Sequence, residues 1–168
     1  MSVSEHKNAA PVSIGCMIIT VSDTRDETTD KSGQLIRTYV QDAGYTVQQY
    51  VIVKDEEGPI AKAIEKGVED STVQAVLLNG GTGIAKRDVT YEVVESLLDK
   101  ELPGFGEIFR MLSYTEDIGS AAILSRAIAG VYKERAIFSM PGSSGAVRLA
   151  MSKLIIPEIG HIVRELNK

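Results

Sequence analysis

Asp23, Asp55 and Asp88 each come shortly after an apolar run, and the last closes the stretch Asn79-Gly80-Gly81-Thr82-Gly83-Ile84-Ala85-Lys86-Arg87-Asp88, followed by Val89-Thr90. Carboxylates, a lysine, an arginine and a glycine-rich turn are the residue types that clamp phosphate and hold Mg²⁺. Glycine lets the backbone come close to an anion, and the first N–H groups of a following helix point at it. Magnesium takes few carboxylates and completes its shell with substrate oxygens and water, so these aspartates could share one ion. The plainer role of each, an N-cap or loop side chain, is individually the commoner one. A second turn, Pro141-Gly142-Ser143-Ser144-Gly145, repeats the pattern. Two such turns can support a ligand with two phosphates, or with a phosphate and another anionic group; two ordinary loops are the alternative.

Other chemistries have little support. Arg110 and Arg126 lie in apolar helical stretches, where each can fork onto an anionic substrate or pair with a glutamate such as Glu107. His6 falls in a polar lead-in, His161 sits among apolar residues, and no Gly-x-Ser-x-Gly elbow occurs. Neither a catalytic triad nor a zinc site is indicated.

These residues must be positioned by an alternation of strands and helices. Val12–Val21, Tyr45–Val53 and Ala75–Leu78 read as strands, the first and third as buried ones. Helices are expected from a Ser32 cap to Gly44, from Pro59 through Val68, and over Tyr91–Leu98. The segment 102–119 is less regular: Pro103, Gly104 and Gly106 interrupt it before a helix around Ile108–Leu112, and Ala121–Ala127 looks helical. Ile128–Tyr132 and Ala136–Met140 flank Lys133-Glu134-Arg135 as a hairpin or a pair of edge strands. Ala146–Leu154 and a segment opened by Pro157 complete the pattern as helices. The expectation is an α/β fold, a three-layer αβα sandwich with a mostly parallel central sheet. Ligands of such sheets gather beyond the carboxyl ends of the strands, which brings Ser22-Asp23, Lys54-Asp55 and Gly80–Asp88 together.

With 168 residues, 43% of them hydrophobic and 24% charged, the chain has the composition of an ordinary globular protein. We expect a flexible lead-in over residues 1–11 and a single α/β domain over 12–168. A net charge of −5 gives no general attraction for nucleic acid or anionic membranes, so an anionic ligand must be held by a local cluster of donors. The single cysteine, Cys16, lies in an apolar run, which fits the reducing cytoplasm, and no stretch reaches the length of a membrane span. A cytoplasmic protein is expected.

One combination of motifs goes further than the physics of single residues. Thr20-Val21-Ser22-Asp23, Asp30-Lys31-Ser32-Gly33, Asp55-Glu56, Gly80-Gly81-Thr82-Gly83, Arg87-Asp88-Val89-Thr90, Pro103–Glu107, Phe109-Arg110, Leu124–Ala127 and Pro141-Gly142-Ser143 occur in order along nearly the whole chain. As a set they closely resemble the MoaB/MogA family of molybdenum cofactor biosynthesis. The resemblance implies a molybdopterin adenylyltransferase, in which ATP donates AMP to the terminal phosphate of molybdopterin and pyrophosphate leaves. The alternative is a molybdopterin-binding carrier or scaffold of the same fold without that activity. The resemblance further implies Mg²⁺ dependence, a homotrimer or homohexamer, and transient contact with other enzymes of molybdenum cofactor biosynthesis. It assigns Asp55 and Asp88 to metal and catalysis. Ser22, Asp23, Gly80, Gly81, Thr82, Gly83, Thr90, Arg110, Pro141, Gly142, Ser143 and Ser144 resemble the pterin and phosphate pocket, with Lys86 and Arg87 offsetting substrate charge. Tyr91 departs from the family pattern, in which proline often follows the Asp-Val-Thr, and the expected effect is on rigidity.

Overall fold

Alternation along two buried strands decides the layering. The computed structural model describes residues 2–8 and 13–168. In β1 (Gly15–Val21) and β3 (Ala75–Asn79) every residue is buried, so neither face of these central strands meets water. Cys16, Ile18, Ala75 and Leu77 point to one side, where α2 (Lys31–Asp42), α5 (Pro103–Glu116), α6 (Ser144–Ala150) and α7 (Ile156–Leu166) cover them. Met17, Ile19, Val21, Val76 and Leu78 point to the other, beneath α3 (Glu57–Glu69) and α4 (Thr90–Leu97). A period of two in the strands thus produces two helical layers on one sheet.

The sheet has six strands in the order β2-β1-β3-β6-β5-β4, with β2 (Thr46–Val53), β4 (Lys100–Glu101), β5 (Ile128–Tyr132) and β6 (Arg135–Met140). β2, β1, β3 and β6 run parallel, whereas β5 pairs antiparallel with both β6 and β4. The expected αβα sandwich with a mostly parallel sheet is therefore what forms. Because β1 connects onward to β2 on one side and lies against β3 on the other, their carboxyl ends open a crevice between diverging connections.

Local details correct several expectations. Asp30, not Ser32, caps α2, accepting from the Gly33 N–H at 3.0 Å, which frees the buried Ser32 for other work. Gly44 follows the helix with φ +83°, the left-handed conformation of a C′ glycine. Pro103 does not interrupt α5 but starts it, where its missing N–H costs nothing. Residues 119–124 form a 3₁₀ turn that ends before Arg126. Ile128–Met140 is a hairpin with Lys133 and Glu134 at φ +48° and +63°, and β6 lies inside the sheet rather than at its edge. Between α6 and α7 the backbone widens into one π-turn, Met151–Ile155, ahead of Pro157. Proline has no N–H to donate and its ring crowds the carbonyl four residues back, so the helix continues only with the wider spacing.

His161 has a partner that its apolar neighbours concealed, the Glu158 carboxylate at 3.3 Å. Of the lead-in, Val3–Asn8 forms a short helix, α1, against α7, while residues 1 and 9–12, which include the expected start of β1 at Val12, lie outside the described residues. Among the described residues no helix is long and apolar enough to cross a membrane.

A Cβ added at Gly33 would sit 2.1 Å from Asp30 Oδ2 and 2.7 Å from Thr20 Oγ1. Gly33→Ala is expected to lower stability by about 1–3 kcal/mol through overpacking, read as an earlier midpoint in urea unfolding.

Candidate functional site

Four carboxyl ends of parallel strands meet at one cleft of about 330 Å³, lined by Ser22, Asp23, Asp55, Gly80–Gly83, Arg87, Asp88 and Gly142, with Thr24 and Arg25 beside them. Glycine is required where the turns touch. Gly80 has φ +96°, and a Cβ there would lie 2.3 Å from the Val21 carbonyl oxygen. Gly81, at φ +67°, would clash with Thr90 Oγ1 at 2.2 Å. A Cβ on Gly142 would come within 3.2 Å of Gly80 Cα, so the two glycine turns of the sequence pack directly on each other.

The carboxylates are held differently. Asp23 Oδ1 accepts from the Asp55 N–H at 3.0 Å, tying the loop after β1 to that after β2. Asp88 Oδ2 accepts from the Ala85 N–H at 3.0 Å, which folds the glycine loop back on itself. Asp55 is the strained member, since its Oδ1 is buried and accepts no hydrogen bond. Burial holds its carboxyl above the usual range, and the charges of Asp88 and Asp23 add to this; the Val89 N–H and Arg87 pull the other way. Thr90 Oγ1, beside the same Gly81, is also buried without a partner. Among the described residues no three or more acidic, histidine or cysteine side chains converge as a ready metal cage. What the cleft offers is three carboxylates against the guanidiniums of Arg25 and Arg87, an acidic excess beside anion-binding turns. Phosphate can enter such a site with a cation between the two sets of negative charge.

Two arginines shape the walls. Arg126 donates to the carbonyls of Thr82 (3.3 Å), Gly83 (2.6 Å) and Asp88 (3.1 Å), binds Glu92, and lies 5.3 Å above the Tyr91 ring. It therefore holds the glycine loop rather than facing the cleft, and Tyr91 gives it a platform that proline could not. Arg25 reaches from the β1 loop to the Gly142 carbonyl (3.2 Å) and to Ser32 Oγ (2.6 Å). Behind it runs a buried polar chain: Ser32 Oγ donates to Asn79 Oδ1 at 2.7 Å, and Asn79 Nδ2 to Thr20 Oγ1 at 2.9 Å. Asp30, fully buried, accepts from Gly33 N–H and from the Tyr50 hydroxyl and lies 3.5 Å from Arg25. Burial and this carboxylate push the Tyr50 hydroxyl well above its ordinary pKa. Removing the partners of a buried charge costs about 3–5 kcal/mol, so this network is stiff.

The remaining site residues expected from sequence are spread more widely. Thr90 is buried beneath Gly81, accepting nothing on its hydroxyl while its N–H donates to the Gly81 carbonyl. Lys86 is exposed and outside the cleft lining. Arg110 donates to the Ala127 carbonyl at 3.3 Å and lies along Gly106, away from the cleft and from any ion pair with Glu107. Ser144 faces a shallow groove between α2 and α6 with Lys31 and Arg148. Pro141 and Ser143 line a second pocket of about 270 Å³ that joins the cleft at Thr82-Gly83. Its walls are Phe109, Ile118, Ala121 and Leu124, with Ser113, Asp117 and Ser125 as polar groups. Thr82, Gly83, Phe109, Leu124, Ser125, Pro141 and Ser143 belong to motifs of the sequence, whereas Ser113, Asp117, Ile118 and Ala121 carried no sequence signal.

A family model described as a probable molybdopterin binding domain matches residues 17–161. The chain belongs to the MoaB/MogA family. It is 61% identical over 168 residues to molybdenum cofactor biosynthesis protein B of Bacillus subtilis, covering 100% of this chain and 99% of that one. A crystal structure of a molybdenum cofactor biosynthesis protein B superposes with a TM-score of 0.92 at 59% identity, covering 94% and 98% of the two chains. The molybdopterin biosynthesis enzyme MoaB of Thermus thermophilus superposes with a TM-score of 0.80 at 31% identity, covering 91% and 96%. A role in molybdenum cofactor biosynthesis and a molybdopterin-binding domain follow for this MoaB/MogA chain.

The raised pKa of Asp55 fixes a sign. Its protonated form is favoured in the fold, so it costs stability once pH rises through its folded value and costs nothing below the unfolded one. Asp55→Asn should raise the ligand-free melting temperature near neutral pH and leave it unchanged at about pH 3, in paired thermal melts.

Proposed function

We propose that the chain adenylylates molybdopterin. An oxygen of the terminal phosphate of molybdopterin attacks the α-phosphorus of ATP. The bond from that phosphorus to the bridging oxygen of the β-phosphate breaks, and its electron pair leaves with pyrophosphate. The observation that carries this reading is the meeting of two glycine turns in one cleft bordered by Asp23, Asp55 and Asp88. Nucleotidyl transfer asks the protein to align two phosphates and offset their charge, and needs no protein nucleophile. The backbone N–H groups of Gly81–Gly83 and the guanidinium of Arg87 bind and orient the phosphates. A flat heteroaromatic ring fits the adjoining pocket, with Phe109 and Leu124 as walls and Asp117 as a hydrogen-bond acceptor.

Asp55 and Asp88 are the residues that would hold Mg²⁺, and the buried, unpartnered Oδ1 of Asp55 is the feature that fits a cation. When bound, the ion supplies neutralisation of phosphate charge. A carrier that only binds pterin has no use for the electrostatic cost concentrated at Asp55, which favours the catalytic reading. Cys16, buried in β1 with its thiol pKa pushed up to about 12, forms no disulfide, in keeping with the cytoplasm.

Assembly is the second part of the reading. Ile108, Met111, Tyr114, Ile118, Ile123 and Leu124 are exposed together on α5 and the 3₁₀ turn after it, in a chain whose other large apolar side chains are mostly buried. Such a patch suits a second copy of the chain in a homotrimer or homohexamer.

Asp88→Asn keeps an acceptor for the Ala85 N–H and removes the charge. It should cut AMP transfer at least about 100-fold while molybdopterin affinity stays nearly unchanged, measured by product formation and calorimetric titration. Full turnover would refute the role given to Asp88. For the assembly, Ile123→Glu is expected to shift the mass measured by light scattering from an oligomer to a monomer.

A further inference from the structure

We propose that Arg25 is a positioning residue, a fork that fixes the Gly142 turn at its distance from the loop after β1 and so sets the width of the phosphate cleft. Its own placement is controlled from both ends. Ser22 Oγ accepts from the Thr24 and Arg25 N–H groups at 3.2 and 3.1 Å, which turns the chain so that the side chain crosses the floor of the cleft. The guanidinium then divides: one nitrogen donates to Ser32 Oγ at 2.6 Å and the other to the Gly142 carbonyl at 3.2 Å. Ser32 is locked in turn by Asn79, and Asp30 supplies the opposing charge from a fully buried position. Only about a third of the Arg25 side chain is exposed (34%), the part that faces the cleft.

The link matters because β1 and β6 are not neighbours in the sheet, whereas the turns after β3 and β6 are already tied by the ladder that ends at Asn79 and Met140. Gly80 N–H donates to the Met140 carbonyl at 3.1 Å, and beyond that bond Gly142 rests on Gly80 through van der Waals contact. Arg25 is the side chain that spans from the β1 loop to the turn after β6, linking residues 117 apart in sequence. Its planar fork holds two acceptors at fixed separation, and an ammonium on a flexible stem does not reproduce that. A charge at this point serves any phosphate in the cleft, but the geometry points to position rather than charge. This inference rests on the proposed function only for the identity of the ligand.

Two variants, Arg25→Lys and Arg25→Gln, test it with two readouts, using the full chain. Hydrogen exchange is followed at the Gly80, Ala146 and Val147 amides, which bond to Met140, to Ser143 Oγ and to the Ser143 carbonyl. Affinity for inorganic pyrophosphate with Mg²⁺ is measured by calorimetry. Both variants are expected to keep a cooperative melt, to speed exchange at these amides by about tenfold, and to weaken pyrophosphate by about tenfold. Exchange unchanged from the parent would overturn the proposal, as would parental affinity in Arg25→Lys, which would reduce Arg25 to a point charge. Loss of the whole fold in both variants would also overturn it, assigning Arg25 to stability. If the parent binds no pyrophosphate, the phosphate reading of the cleft fails, and faster exchange in the variants still supports the positioning role.

Discussion

The contact between Gly80 and Gly142 is the constraint on which the site depends. β3 and β6 are adjacent parallel strands, so their carboxyl ends leave the sheet side by side, and a Cβ on Gly142 would press to within 3.2 Å of Gly80 Cα. Gly80 also leaves its strand in a left-handed conformation against the Val21 carbonyl, which presses the end of β1 into the same corner. Three strand ends thereby meet at one corner of the cleft, where backbone groups of the glycine turns join carboxylates and guanidiniums in its lining.

Beneath this corner the sheet changes character. Along β1 and β3 the face covered by α2 is apolar as far as Ile18 and Leu77 and then turns polar at the paired residues Thr20 and Asn79. Through Ser32, Asp30 and Tyr50 these join the start of α2 and the edge strand β2 into one hydrogen-bonded unit. A buried network of this kind is useful only when every member is satisfied, and it then resists displacement. The cleft has the opposite character. Asp55 carries a buried oxygen without a partner and a carboxyl held above its usual range, so the stiff foundation supports a site that is electrostatically unsatisfied.

Much of this was legible in the sequence, and the exceptions share a cause. Short apolar runs and the residues punctuating them located the parallel strands to within a few residues, because the central strands are buried on both faces and their composition follows from that. The glycine turns were visible for the same local reason. Arg25 and Arg126 were harder to read, because the partners that tie them to distant loops are carbonyl groups, which every residue carries. Arg110 belonged to a motif in sequence, yet in space its guanidinium bonds Ala127. Gly104 and Gly106 suggested a broken segment where α5 is continuous, since Gly106 is needed for the close approach of α5 to the Ala127 carbonyl. Spacing reports what lies on one element; it does not report which distant backbone an arginine will hold.

The proposed chemistry therefore follows from an arrangement of backbone and charge, with no ready cluster of three or more metal-ligating side chains among the described residues. In the proposed reaction such a site would align two phosphates together with a cation brought with them. The most direct measurement is incubation of the purified chain with molybdopterin, Mg²⁺ and ATP labelled at the α-phosphate. The account predicts that label passes to the pterin with release of one pyrophosphate for each adenylylated product. Molybdopterin bound and recovered without label would contradict it.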